Sequence, residues 1–363
     1  MSSVGSWDTP IDQDADDAEV AKAIGSGLVI EQGLTVDSYA THRLVMKWSG
    51  TPKTVLIVGK LHDQGALKAL QAIAAWLMER GVTVVLEPQL LRHEPHLEAE
   101  LRGVRTFSAS DRLERSVDLM VTIGGDGTLT WAASLFPGPM PPILSFAAGS
   151  LGFLTPFASD RWPRTLGRIF DQSGETVTIP LVCRMRLNVV VHRRSGNSIT
   201  SIKRDGIEVQ CLNEILVHRG NSTALTKLEV GVDGQRVTLV QGDGLILATP
   251  TGSTAYSLAA GGSMVHPSLP AILLTPVSPH SLSFRPALLP DSAVITCKVP
   301  LSARRGASLH IDGKAICQLR VGDSIEISMS PHPVPTICHT NDTQDWFTKV
   351  NQALHWNGRV EQT

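Results

Sequence analysis

The stretch Leu119-Met120-Val121-Thr122-Ile123-Gly124-Gly125-Asp126-Gly127-Thr128 decides how this chain is read. An apolar run of strand length that stops at glycines is a buried strand whose backbone turns at the carboxyl edge of a sheet, where phosphorylated ligands bind. Glycine lacks the Cβ that would hold an anion off the main chain and permits φ > 0. Successive amides at Gly124, Gly125, Gly127 and Thr128 can therefore face one phosphate, with the Asp126 carboxylate as a fixed acceptor beside them. The plainer reading of the same residues is a tight turn, and the surrounding chain has to decide between the two.

On the N-terminal side, Val55-Leu56-Ile57-Val58 ends at Gly59, and Leu67, Leu70, Ile73, Ala74 and Leu77 follow at helical spacing. Gly81 stops that helix and Val82-Thr83-Val84-Val85-Leu86 supplies a second strand, a βαβ unit with a right-handed crossover. On the C-terminal side, a connector rich in proline (Pro137 to Pro142) leads to Ile143-Leu144-Ser145-Phe146 and a second glycine loop, Gly149-Ser150-Leu151-Gly152. The pattern predicts an α/β nucleotide-binding domain over 51–180, built on a doubly wound parallel sheet. After Pro180 the rhythm changes to alternation, as at Met185, Leu187, Val189 and Val191, and Asp233-Gly234 and Asp312-Gly313 predict type I′ hairpins. Residues 181–330 read as a second, antiparallel β-domain. Residues 331–363 form a tail, helical around Trp346, Phe347, Val350 and Leu354, whose apolar face is expected to pack back on the α/β domain.

A length of 363 residues exceeds the roughly 250–300 at which one core stops growing, which makes two domains the default. The apolar content of 42%, the charged content of 18% and the net charge of −2 suit a soluble enzyme and offer no general attraction for nucleic acid or an anionic membrane. No apolar run is long enough to span a membrane, and the start Met1-Ser2-Ser3 lacks a secretory pattern. Asp8, Asp12, Asp14, Asp16, Asp17 and Glu19, with no Lys or Arg among the first twenty residues, are the reverse of a transit peptide. Residues 1–50 are expected to be an acidic, partly disordered extension, and the location cytoplasmic. Cys183, Cys211, Cys297, Cys317 and Cys338 lie far apart and suggest reduced thiols. His93 and His96 have the spacing of a helical metal pair, but Pro95 between them and the lack of a third ligand argue against one, so no metal-ligating residue is assigned.

Three further segments interrupt apolar runs with polar groups. Asn213-Glu214 sits between Cys211-Leu212 and Ile215-Leu216-Val217, where an unpaired buried polar group would cost about 1–3 kcal/mol. A ligand is one way to satisfy the pair, since an amide matches a purine edge and a carboxylate accepts from ribose hydroxyls. A capped turn is the other. Asp243, in Gly242-Asp243-Gly244, is either a ribose acceptor or a turn residue. In Thr251-Gly252-Ser253-Thr254-Ala255-Tyr256-Ser257-Leu258-Ala259, the hydroxyls and a short helix starting near Ser253 can hold polar ligand groups. Tyr256 can stack on a base or simply pack in a core. Neither a P-loop nor a Gly-x-Gly-x-x-Gly helix start is present.

Taken in order, Gly124-Gly125-Asp126-Gly127-Thr128, Leu212-Asn213-Glu214, Gly242-Asp243-Gly244 and Thr251-Gly252-Ser253-Thr254-Ala255-Tyr256 resemble the NAD kinase family. Gly149-Ser150-Leu151-Gly152-Phe153-Leu154-Thr155, Ser263-Met264-Val265-His266-Pro267, Pro279-His280-Ser281-Leu282-Ser283-Phe284-Arg285-Pro286 and Ile311-Asp312-Gly313 resemble its eukaryotic branch, so that the likeness covers about residues 51–357. The resemblance implies transfer of the γ-phosphoryl of ATP to the 2′-hydroxyl of the adenosine ribose of NAD, with NADH as an alternative acceptor, at a site between the two domains. It implies Asp126 as the catalytic carboxylate, with NAD held by Asp126, Gly127, Asn213, Glu214, Asp243, Thr254, Ala255, Tyr256, Ser257, Leu258 and Ala259. Gly124, Gly125, Gly127 and Thr128 would face the ATP phosphates. Magnesium is expected to arrive with ATP, and the chain to form a homodimer or homotetramer. Lys60 is either a donor-phosphate contact or a solvated lysine, and His280 has no defined contact. The rival readings are a lipid or sphingoid kinase sharing the Gly-Gly-Asp-Gly loop, and a non-catalytic NAD sensor.

Overall fold

The computed structural model describes residues 34–39, 43–48, 50–149, 152–171, 178–195, 198–202, 209–338 and 342–358. The strand Leu119–Gly124, buried along its whole length, lies between two parallel neighbours, Thr54–Gly59 and Ile143–Ala147. Thr83–Leu86 pairs in parallel on the far side of Thr54–Gly59. The chain therefore leaves the Thr54–Gly59 strand in one direction and returns on its other side. The switch point lies between Gly59 and Gly124, and ligands of open α/β sheets bind in the crevice at such a point. The helix Gln64–Glu79 makes the first crossover. Its N-terminus is capped by Asp63, whose Oδ1 accepts from the Ala66 amide at 3.0 Å. Its buried stripe of Ala66, Leu70, Ile73, Ala74 and Leu77 covers one face of the sheet, and Gly81, at φ +75, ends the turn that follows.

Beyond Ile143–Ala147 the sheet continues through Val334–Ile337, which is parallel to it, and then antiparallel through Thr178–Arg184, Arg43–Trp48 and Leu34–Tyr39. Two expected boundaries differ. The strands Leu34–Tyr39 and Arg43–Trp48 belong to this sheet although they fall within the presumed 1–50 extension, and the expectation for residues 1–33 lies outside the described residues. Thr178–Arg184 crosses the 180/181 boundary. Pro180, a breaker by sequence, sits inside that strand opposite Val45, with its carbonyl accepting from the Cys338 amide at 3.1 Å. The C-terminal segment is thus a strand of the first sheet before it becomes the helix Asp342–Leu354.

The β-domain is two antiparallel sheets packed face to face around a core that includes Leu187, Ile215, Val230, Leu247, Ile295 and Leu309. One sheet carries Glu214–His218 between Gly244–Ala248 and Ala307–Ile311. The hairpins have the expected turns: Asp233 and Gly234 have φ of +50 and +78, and Asp312 and Gly313 have φ of +48 and +75. Arg186 joins the two domains. Fully buried, it donates to the carbonyls of Phe136 at 2.8 Å, Gly138 at 2.7 Å and His332. All five cysteines are free thiols.

Candidate active site

Asp126 opens the helix Asp126–Ala133 directly after the switch-point strand. Its Oδ2 accepts from the Phe153 amide at 2.9 Å and its Oδ1 from the Leu154 amide at 2.8 Å. The second glycine loop thus comes back over the first, and Gly152 permits it: a Cβ there would stand 2.1 Å from Asp126 Oδ1. Ser150 and Leu151 of that loop lie outside the described residues. Two amides fix the orientation of the carboxylate while each oxygen keeps a lone pair for a further donor. Gly124 is packed against the side chains of Thr128 and Lys60, whereas a Cβ on Gly125 or Gly127 would meet nothing within 4 Å. The space over those two residues is open. Lys60, half exposed, pairs with Asp63 at 3.0 Å.

The Asn213-Glu214 segment is built from the opposite hairpin. Strand Val209–Cys211 belongs to one β-sheet and Glu214–His218 to the other, so Leu212 and Asn213 form the crossing between them. Their amides would be orphaned there, and the carboxylate of Asp312 takes them: Leu212 at 2.9 Å, Asn213 at 2.7 Å and Glu214 at 3.3 Å. Asn213's carbonyl accepts from the Thr249 amide at 3.0 Å, and Gly252 lies so close that a Cβ would be 2.0 Å from that oxygen. Glu214 is 8% exposed and its Oε2 has no hydrogen-bond partner. Burial, and then the neighbouring Asp312 carboxylate, push its carboxyl up to about 7, against the pull of the Tyr256 amide. Desolvation also raises Asp312, against the donors that surround it.

The Thr251-to-Ala259 segment is a 3-10 turn, Thr251–Thr254, and a single helical turn, Tyr256–Ala259, separated by a kink at Ala255 with φ −98 and ψ −130. The sequence suggests one short helix from Ser253; the kink at Ala255 divides the two turns and brings the Tyr256 amide to Glu214. Ser253 is fastened inside, its Oγ accepting from the Val265 amide at 2.9 Å and donating to that residue's carbonyl at 3.1 Å. Ser257 shares a 2.8 Å hydrogen bond with Thr275. The Tyr256 ring is 42% exposed and is not a core side chain.

Two contacts, through Leu212 and through Lys314, bring Asp126 and Glu214 to one interdomain region. Leu212 is buried in one cluster with Leu129, from the Asp126 helix, and Leu154, whose amide holds Asp126. Lys314, two residues after Asp312, reaches Ser134 Oγ at 2.9 Å and lies 3.9 Å over the Trp131 ring. Lys349, from the C-terminal helix, donates to the Phe153 carbonyl at 2.7 Å and holds the second glycine loop from outside. Asp243 is not brought there. The strands Glu214–His218 and Gly244–Ala248 run antiparallel with Glu214 opposite Ala248 and His218 opposite Gly244, which leaves Asp243 at the far end, in an ion pair with Arg219 at 2.7 Å. The exposed His280 is at that end too, its amide bound to the Gln241 carbonyl at 2.9 Å. His93 and His96 fall on separate short helices, and among the described residues no three His, Cys, Asp or Glu side chains converge on a metal position.

Sequence reading missed the Phe153 and Leu154 amides, Asp312 as an organiser of Asn213, and Arg186. Only Asp312 carried a signal, and Asp-Gly is also what an ordinary hairpin shows.

Residues 55–174 match the ATP-NAD kinase N-terminal domain and residues 212–339 the ATP-NAD kinase C-terminal domain. A chloroplastic NAD kinase 2 of Arabidopsis thaliana is 41% identical, aligned over 92% of this chain and 33% of its own length. A mitochondrial NADH kinase of Schizosaccharomyces pombe is 34% identical over 86% of this chain and 77% of its own length. The crystal structure of yeast NADH kinase complexed with NADH superposes with a TM-score of 0.78 at 30% identity, covering 90% of this chain and 94% of that one. The chain spans between 33% and 66% of the length of the plant relatives it matches. With both halves matched and the yeast and fission-yeast enzymes aligned over most of their own length, this chain belongs to the NAD kinase family.

Proposed function

We propose that the chain is an ATP-dependent NAD kinase, transferring the γ-phosphoryl group of ATP to the 2′-hydroxyl of the adenosine ribose of NAD or NADH. The observation that carries this reading is the pairing of an oriented carboxylate, Asp126, with a buried, unpartnered acceptor, Glu214 Oε2, across one interdomain region. Glu214 and Asn213 hold the dinucleotide's ribose and base edge, and the Tyr256 ring stacks on a planar group. The open space over Gly125 and Gly127 admits phosphates to their amides and to those of Gly124 and Thr128. Thr254, Ala255, Ser257, Leu258 and Ala259 shape the wall beneath Tyr256.

Asp126 orients the 2′-hydroxyl and takes its proton as the oxygen–phosphorus bond forms, because in a loose transition state the hydroxyl becomes acidic only late. General-base assistance of this kind contributes roughly 10²–10⁴ in rate. The donor set suits a cation that enters with the nucleotide: Asp126 is already bound to two amides and no chelating cluster surrounds it among the described residues. Magnesium, when bound on ATP, would neutralise phosphate charge.

Asp243 could meet a dinucleotide at Glu214 only from a second copy of the chain, which fits a homodimer or homotetramer and is testable by light scattering with and without NAD. Location in the cytoplasm is testable by fractionation; among the described residues no helix is long and apolar enough to cross a membrane. The deciding experiment incubates purified protein with NAD, NADH or a sphingoid base, each against ATP and polyphosphate, and follows the phosphorylated product. Product from NAD or NADH supports the reading. Product from the sphingoid base alone, or NAD binding without product, replaces it with one of the two rivals.

A further inference from the structure

The β-domain carries a cleft of about 770 Å³ whose lining includes Arg219, Arg305, Arg320, His218 and His310 and no acidic side chain. It opens at the His218 end of the Glu214–His218 strand, four residues and roughly 13 Å from Glu214 at about 3.3 Å per residue. Arg219 is neutralised by Asp243, but among the described residues no carboxylate pairs with the exposed guanidinium groups of Arg305 and Arg320. The floor is held in place. Gly220, at φ +58, packs so closely that a Cβ would stand 2.7 Å from Ser308 Oγ, and Ser308 is itself bound to Gln318 at 3.0 Å.

Beneath that floor is an unsatisfied donor. The Gly220 amide donates to His218 Nδ1 at 3.1 Å, so in the neutral ring the proton is on Nε2. Nε2 is buried with no hydrogen-bond partner, next to the His310 ring, which meets it edge-on at a centroid distance of 4.6 Å. Burial first, then His310 and Arg219, favour the neutral form. An acceptor that displaced the His310 ring would complete this N–H, and the Arg305 and Arg320 guanidinium groups of the same cleft, without an ion pair among the described residues, suit the bidentate geometry of phosphate oxygens. The volume falls within the range of about 300–1,000 Å³ typical of small-molecule sites.

We propose that this cleft is a second anion site, which binds a diphosphate-bearing small molecule through Arg305 and Arg320, with His218 Nε2 as a third donor. Within one chain it lies apart from the Asp126–Glu214 region, and the observations behind it do not depend on the kinase reading.

The test is calorimetric titration of the full chain with inorganic pyrophosphate, without magnesium and with both NAD and a non-hydrolysable ATP analogue at saturation, so that the amides over Gly125 and Gly127 are already occupied. The wild type is expected to bind one pyrophosphate per chain despite both nucleotides. The double variant Arg305→Ala, Arg320→Ala is expected to bind at least tenfold more weakly with an unchanged melting temperature, since both side chains are exposed and make no described ion pair. Affinity unchanged in the double variant, or pyrophosphate displaced by NAD or the analogue, would overturn the proposal.

Discussion

Asp312 Oδ1 lies 2.7 Å from the amide nitrogen of Asn213, and through that contact a hairpin residue sets the position of a segment 99 residues earlier in the chain. The Leu212 and Glu214 amides converge on the same carboxylate, and Lys314 carries the hairpin onto the Asp126 helix. Asp312 is therefore a positioning residue for the Asn213-Glu214 half of the proposed site, on a hairpin that reaches the other half through Lys314. In Asp312→Asn an amide group replaces one acceptor and opposes a backbone N–H, at a cost of about 1–3 kcal/mol. The expected outcome is a KM for NAD raised about tenfold or more, a smaller change in kcat, and a lower melting temperature. A KM within twofold of wild type would remove Asp312 from this role.

Asp126→Asn separates chemistry from binding less cleanly than the motif alone implies. Its carboxylate accepts from both Phe153 and Leu154, and an Asn can satisfy only one of them. Some loss of stability is therefore expected, about 1–3 kcal/mol, together with a fall in kcat of roughly 10²–10⁴. Equilibrium binding of NAD should be retained to within a few fold. Turnover near wild type would refute general-base assistance by Asp126 whatever happened to stability.

Much of this site was legible in the sequence, and the unreadable parts share a cause. The Asp126 loop announced itself because strand, glycines and carboxylate are contiguous, and the same holds for Asn213-Glu214 and the Thr251–Tyr256 stretch. The amides that hold Asp126 are 27 and 28 residues away and carry no side-chain signature. The separation of Asp243 from Glu214 within one chain was hidden for a topological reason: Gly242-Asp243-Gly244 looks like a site loop, but only the antiparallel register shows which end of the strand it occupies. In the fold, Leu34–Tyr39 and Arg43–Trp48 are short strands at the margin of a sheet, joined to it through Thr178–Arg184 more than a hundred residues later, a pairing that local periodicity cannot express.

The raised carboxyl of Glu214 gives two linked pH effects. A ribose hydroxyl donates to the ionised form, so NAD affinity should rise with pH through about 7, with KM falling between roughly pH 6 and 8. Stability moves the other way. The folded-state value lies above the ordinary 4.5, so the unfolded chain ionises first, and the contribution of this group is lost from about pH 4.5 up to about 7. Glu214→Gln should flatten the KM profile and gain melting temperature relative to wild type as pH rises from 5 to 8. Parallel melting curves for the two proteins across that range would contradict the buried-carboxyl account.

Gly127 offers a test in which stability and function should part. It lies in the first turn of the Asp126–Ala133 helix, is exposed, and a Cβ there would meet no atom of the protein within 4 Å. Alanine is better than glycine in a helix by about 1 kcal/mol, less at an end, so Gly127→Ala should hold or raise the melting temperature. If the triphosphate lies against these amides, the same methyl group stands where a phosphate oxygen must come, because close approach to a backbone is what the missing Cβ provides. The KM for ATP should then rise at least tenfold in a protein that is no less stable, with the KM for NAD affected less. Gly125→Ala, equally unobstructed, should raise the KM for ATP likewise but, at the helix N-cap where glycine is preferred to alanine, gain no stability, while Gly124→Ala should lose stability, since its Cβ would sit 2.2 Å from Thr128 Oγ1. Gly127→Ala with unaltered kinetics toward ATP would mean that the donor phosphates lie elsewhere than over the helix start.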